Sequence, residues 1–195
     1  MTEAGFQALK ADIIQRLSGL DTRLTYHNLA HTLDVMEQAV RISVEESILD
    51  PRQLLLVKIA ALYHDTGFLF TYRGHEEKSC EIARQDLAGT DLTVDEVNTI
   101  TGMIMATKIP QSPANLMEEI ICDADLDYLG RDDYPPISDN LKVEFLSYGI
   151  IGGDKDWDPL QIDFFEKHRY FTRSSRTLRA PRKQQYLAML KEKAW

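Results

Sequence analysis

An apolar run, Leu54-Leu55-Leu56-Val57 and then Ile59-Ala60-Ala61-Leu62, ends one residue short of His64-Asp65. A segment apolar on nearly every side reads as a helix buried on most of its faces. A carboxylate carried to the end of such a helix is costly unless something positive meets it. Imidazole and carboxylate are both ligands for first-row metals, so the adjacent pair suggests what that something is. An isolated pair is equally well explained as a helix-terminal cap, and the rest of the chain decides between the two.

The bulk properties narrow the class. At 195 residues the chain fits one domain with an ample core. Lys plus Arg number 22 against 31 Asp plus Glu, a net charge of −9. That argues against a general nucleic-acid binder, which needs a basic footprint. It leaves room for a small anionic substrate, because a local basic pocket can sit on an acidic protein. The N-terminus has no basic segment followed by an apolar one, and no run reaches membrane-spanning length. The two cysteines, Cys80 and Cys122, lie far apart in helical patterns and read as reduced, buried thiols of a cytoplasmic protein. A homodimer is left open.

Helical signals dominate. Phe6, Leu9, Ile13 and Leu17 form one apolar stripe, and Leu29, Leu33, Met36 and Val40 form a second, on a helix from about 28 to 47. Asp50-Pro51 starts the helix that runs to Asp65, with Gly67 as its stop. Helices follow at about 74–87, from the Thr93–Glu96 capping box to about 107, and from Ser112-Pro113 onward. Residues 130–136 read as a loop. Ser138 then starts a helix that Gly152-Gly153 ends. Asp158-Pro159 opens one reaching about Thr172, and a last helix follows Pro181. Nothing alternates at period two. The pattern predicts an all-α, single-domain bundle of eight or nine helices over residues 1–195. The core that bears the site spans about 26–130, and C-terminal helices of about 138–193 pack on it.

Five histidines are available: His27, His31, His64, His75 and His168. His31 lies four residues before Val35 on the flank of the second stripe, so it can point inward. In Cys122-Asp123-Ala124-Asp125-Leu126-Asp127 three aspartates alternate. On a helix Asp125 shares the face of Ile121 and Leu129, whereas Asp123 and Asp127 share a different, wetter side. Three separate helices therefore each bring an inward ligand type: His31, His64-Asp65 and Asp125. Two imidazoles and two carboxylates suit one divalent ion (Mn, Fe, Co, Ni, Zn or Mg) with positions left for water and substrate.

These residues resemble the HD-domain metal-dependent phosphohydrolases, whose His…His-Asp…Asp signature falls here on His31, His64-Asp65 and Asp125. The flanking text is similar too: Tyr26-His27-Asn28-Leu29-Ala30-His31, Ala61-Leu62-Tyr63-His64-Asp65-Thr66-Gly67, and Cys122-Asp123-Ala124-Asp125-Leu126. An uncharacterised branch of predicted HD phosphohydrolases is closer still. Its blocks resemble Glu76-Glu77-Lys78-Ser79, Ala106-Thr107-Lys108 and Phe165–Thr172. The resemblance implies a helical HD fold and a metal-dependent hydrolase of a phosphoester or phosphoanhydride, on a nucleotide or other small phosphorylated metabolite. A second metal is disfavoured, because no histidine falls near Thr107-Lys108. His75 and Glu76 then stand behind the ligands or on the substrate side.

In that reading Asp65 binds the ion and takes part in catalysis, and Glu76, opening a helix, orients or deprotonates the water. Its plain alternative is an acidic residue favourable to the helix dipole. Lys108 and Arg73 are candidate phosphate contacts, with Lys108 also in a catalytic role, and His75 and His27 candidate substrate contacts. Phe68, Phe70 and Tyr72 could wall a pocket or pack a loop. The competing functional classes are a non-catalytic regulatory module that binds metal or nucleotide and a di-iron HD oxygenase.

Overall fold

The computed structural model describes residues 1–193. Among them the chain forms ten α-helices and no strand: α1 (Glu3–Leu17), α2 (Leu29–Glu45), α3 (Pro51–Tyr63), α4 (His75–Leu87), α5 (Val94–Ala106), α6 (Leu116–Asp125), α7 (Tyr134–Ser147), α8 (Trp157–Lys167), α9 (Arg173–Leu178) and α10 (Ala180–Lys193). Single 3-10 turns follow α3 (Thr66–Leu69) and α6 (Asp127–Gly130). The fold is all-α as expected, with ten helices in place of eight or nine.

Local chemistry sets most boundaries. Asn28 caps α2 by accepting from the N–H groups of Ala30 and His31. Asp50 caps α3, with Pro51 in its first turn, and Thr93 with Glu96 closes a full capping box on α5. Several boundaries move, among them the end of α7, which stops at Ser147 and not at Gly152-Gly153. Helix α6 starts at Leu116 on an Asn115 cap, not at Ser112-Pro113. Helix α7 starts at Tyr134, taking Pro135 and Pro136 into its first turn, where a missing N–H costs nothing. Helix α8 stops at Lys167 instead of about Thr172. The chain beyond it is held by Asp123, which accepts from the N–H groups of Phe171 at 2.9 Å and Thr172 at 2.8 Å.

Two apolar clusters result. The larger gathers Ile13, Ile42, Ile59, Leu62, Ile100, Met103 and Ile120 from helices α1–α6, all fully buried. Each such side chain contributes roughly 1.5–3 kcal/mol by leaving water. The smaller is aromatic: Tyr26, Tyr128, Tyr134, Phe165 and Tyr186, with Leu126 and Leu129. Asp125 falls between Ala124 of the first cluster and Leu126 of the second. Both thiols are free and buried. Among the described residues no helix is long and apolar enough to cross a membrane.

The expected wetter side of α6 does not exist, for Asp123 and Asp127 are both fully buried. Helical spacing identifies a face but not the polar partners that arrive from elsewhere. Asp127 Oδ1 accepts from Arg41 at 2.7 Å and Arg179 at 2.9 Å, and Arg131 stands 3.7 Å from Oδ2. Gly130 permits this closure, since a Cβ there would lie 2.4 Å from the carbonyl oxygen of Arg179. Removing one partner of a buried charge cluster strands the others. Asp127→Ala should therefore cost about 3 kcal/mol, read as a thermal midpoint lowered by roughly 6–12 °C. An unchanged midpoint in calorimetry would show that the three arginines do not need this carboxylate.

Candidate metal centre

Each ligand-type side chain sits at a helix end. His31 is in the first turn of α2, and Asp125 is the last residue of α6. Helix α3 ends at Tyr63, so His64 and Asp65 occupy the turn that leaves it rather than its last helical positions. That difference matters. Neighbours on a helix diverge by about 100°, whereas Asp65 has left helical geometry (φ −108°, ψ 6°) and turns its carboxylate back toward the His64 ring. His64 donates from Nδ1 to the carbonyl of Ala61 at 2.8 Å, which fixes the ring and leaves Nε2 facing the cluster.

The four side chains meet. His31 Nε2 lies 3.1 Å from Asp125 Oδ1, 3.4 Å from Asp65 Oδ2 and 3.4 Å from His64 Nε2. His64 Nε2 lies 3.1 Å from Asp65 Oδ2 and 3.6 Å from Asp125 Oδ1. Atoms ligating one ion at about 2.0–2.2 Å stand about 3.0–3.6 Å from one another, which is the spacing seen. Asp65 Oδ2 is buried and makes no hydrogen bond. An unsatisfied buried carboxylate oxygen facing two imidazole nitrogens fits a cation held among them. His31, His64 and Asp65 are together close enough to share one ion.

The electrostatics agree with the geometry. Burial works to raise the carboxyl groups of Asp65 and Asp125, yet the histidines beside them prevail and hold both well below the usual carboxylate range. Burial works to lower the His64 imidazole, but Asp65 and Asp125 raise it well above its ordinary value. The pocket thus favours positive charge at its centre.

The turn after Asp65 places the neighbours. A Cβ on Gly67 would lie 2.0 Å from the carbonyl oxygen of His75, so glycine alone lets α4 start this close. Ser79 accepts from the Gly67 N–H at 2.8 Å and locks the approach. His75 donates from Nδ1 to the Tyr72 carbonyl at 3.1 Å. Its Nε2 then stands 3.5 Å from Asp65 Oδ1 and 3.6 Å from Glu76 Oε1. Glu76 is buried.

His27 is held by Glu144, a residue that nothing in the sequence singled out. This carboxylate on α7 is fully buried. It accepts from the N–H groups of Tyr26 at 2.9 Å and His27 at 3.0 Å, from the Tyr72 hydroxyl at 2.9 Å, and from the His27 ring. Burial works to lower the His27 imidazole, but the bond to Glu144 raises it. Phe68 stacks against the rings of both His27 and His75, at 4.4 and 3.9 Å. Phe70 is exposed, and Tyr72 stacks on Tyr148.

A cavity of about 340 Å³ opens on the cluster, with Asp65, Asp125, His75, Glu76 and His27 in its wall. Lys108 and Arg73 are not in that wall. Lys108 is exposed and paired with Glu77, and Arg73 is exposed, contributing its carbonyl to the Thr71 hydroxyl. The expected basic pocket is therefore not formed by these two residues. The far wall comes from α7 and α8, among them Leu141, Phe145, Trp157 and Phe164. Its only signal in the sequence is the density of aromatic residues between Tyr128 and Phe165.

An all-helical scaffold brings His31, His64 and Asp65 close enough to share one ion, with Asp125 beside both imidazoles, the arrangement of a helical domain able to hold a metal. Residues 28–127, just over half of the chain, match the HD domain family, and the chain belongs to it. Among solved structures, the crystal structure of a predicted HD superfamily hydrolase from an uncultured Thermotogales bacterium matches with a TM-score of 0.59. It is 21% identical, and the match covers 95% of this chain and 89% of that one. At that identity the likeness speaks for the fold. No curated protein matches the chain.

If the cluster holds an ion, Asp65→Ala should abolish its retention through purification and chelation, measured by elemental analysis. It should also remove the rise in thermal midpoint that the ion gives wild type. Full occupancy in the variant would dismiss Asp65 as a ligand.

Proposed function

We propose that the chain is a metal-dependent hydrolase cleaving a phosphoester or phosphoanhydride of a small molecule, with His31, His64, Asp65 and Asp125 holding one divalent ion. The observation that carries this reading is the buried, unpartnered Oδ2 of Asp65, facing two imidazole nitrogens at ligand spacing on the wall of a cavity. Membership of the HD family supports it, as does the neighbour described as a predicted HD superfamily hydrolase.

When bound, the ion supplies Lewis acidity toward a phosphoryl oxygen and acidifies water at neutral pH. The residues do the rest. Asp65 is oriented by the turn after α3, and His64 by its bond to Ala61, so the ligand set is fixed before substrate arrives. Glu76, buried in the wall beside His75, takes a proton from the water as its oxygen attacks phosphorus. The phosphorus–oxygen bond to the leaving group breaks, and the proton that Glu76 accepted passes through solvent to the departing oxygen, which leaves as an alcohol from an ester or as a phosphate from an anhydride, with Glu76 restored as carboxylate. His75, held by the Tyr72 carbonyl, positions Glu76 against Asp65. His27, held by Glu144, borders the same space on the substrate side. A net charge of −9 supports a small-molecule substrate in preference to nucleic acid.

Glu76→Gln separates proton transfer from metal binding. With the ion retained by elemental analysis, kcat on a responsive phosphoester should fall by about 10²–10⁴-fold. Undiminished turnover would remove Glu76 from the mechanism. No turnover by wild type with any divalent ion, across phosphomonoesters and nucleotides, would remove the hydrolase reading itself.

A further inference from the structure

The cavity is chemically two-sided. Asp65, Asp125, His75 and Glu76 lie at one end. Beyond them the wall is built by Tyr128, Leu129, Leu141, Phe145, Trp157 and Phe164, from the turn after α6 and from helices α7 and α8. Among the described residues no lysine or arginine lines it, although the chain carries 22. Phosphate chains are normally gripped by such cations. A second or third phosphate would place anionic oxygens against leucine and phenylalanine, with no donor to meet them.

Three polar residues of the apolar part, Tyr134, Ser138 and Gln161, are engaged with one another. Gln161 Oε1 accepts from the Ser138 hydroxyl at 2.6 Å and from the Tyr134 hydroxyl. Gln161 Nε2 is turned toward Asp158 at 3.4 Å. A carboxamide so occupied offers little to read a base edge or a ribose. The wall around it remains suited to apolar carbon, and at about 340 Å³ the cavity falls within the size range of small-ligand sites.

We infer that the substrate is a monophosphate ester of an apolar alcohol, aliphatic or aromatic, whose hydrocarbon part lies along α7 and α8 while its single phosphoryl group sits at the Asp65–Asp125 end. This rests on the phosphohydrolase reading and narrows it, turning the selection away from nucleoside di- and triphosphates. Recognition then comes from area removed from water, whereas the metal end supplies what holds the phosphoryl group.

The test uses non-hydrolysable alkylphosphonates from methyl to octyl, with pyrophosphate and ATP as comparisons, titrated calorimetrically into the Mn²⁺-loaded protein. Each added methylene should tighten binding roughly threefold to fourfold until the cavity is filled. Octylphosphonate should bind more tightly than ATP. Leu160→Arg places a cation at the exposed edge of the wall. With helical content unchanged by circular dichroism, it should flatten the chain-length dependence. Affinity independent of chain length in wild type, or ATP binding more tightly than octylphosphonate, overturns the inference. Turnover of phosphoesters without length dependence would sink it and leave the hydrolase reading standing. Length-dependent binding with no turnover of any ester would sink the hydrolase reading and keep the apolar site.

Discussion

Two carboxylates, buried Asp65 and half-buried Asp125, are held with two imidazoles between them, and no arrangement of apolar side chains could stabilise that group. Buried anions demand compensation. The histidines provide part of it, as the depressed carboxyl groups and the raised His64 show. Much of the fold serves to bring these atoms to one point. The large core packs α2 against α3 and α6, and so brings together the start of one helix and the ends of two others. The break in helical geometry at Asp65 aims the short side chain, and the Gly67–His75 approach sets the next helix against it.

The four residues of the proposed ligand set are legible because each carries a local signature: an imidazole on the flank of an apolar stripe, a His-Asp pair closing a buried helix, an aspartate on an apolar face. Their joint geometry was not, since it depends on helix crossings that no local pattern encodes. Asp123 and Asp127 show the same limit from the other side. Spacing separated them correctly from Asp125 but assigned them to water, and the partners that keep them dry come from residues 41, 131, 171, 172 and 179. Lys108 and Arg73 looked available for phosphate because they flank recognisable blocks. In the fold one pairs with Glu77, and both stand outside the cavity wall. The prolines at 135 and 136 read as loop because a proline interrupts a helix interior, and the first turn is the place where it does not.

The residues that match the HD family end at 127, and the apolar wall is contributed largely from 128 to 165. The metal-site cluster and the apolar wall are therefore carried largely by consecutive stretches of the chain. The two stretches meet at Ile109 and Leu126, which belong to the matched residues and also line the cavity.

Glu144 gives that division a mechanical limit. It sits on the wall helix α7, yet its hydrogen bonds run to the backbone just before α2 and to the aromatic layer over His75. A guest that pushed α7 outward would pull on Tyr26 and His27, and through Asn28 on the turn that carries His31. The cavity thus cannot widen independently of the cluster. A hydrocarbon too bulky for the wall would be felt as displaced ligand atoms, and the fit of a substrate's inert end would be reported at its reactive one.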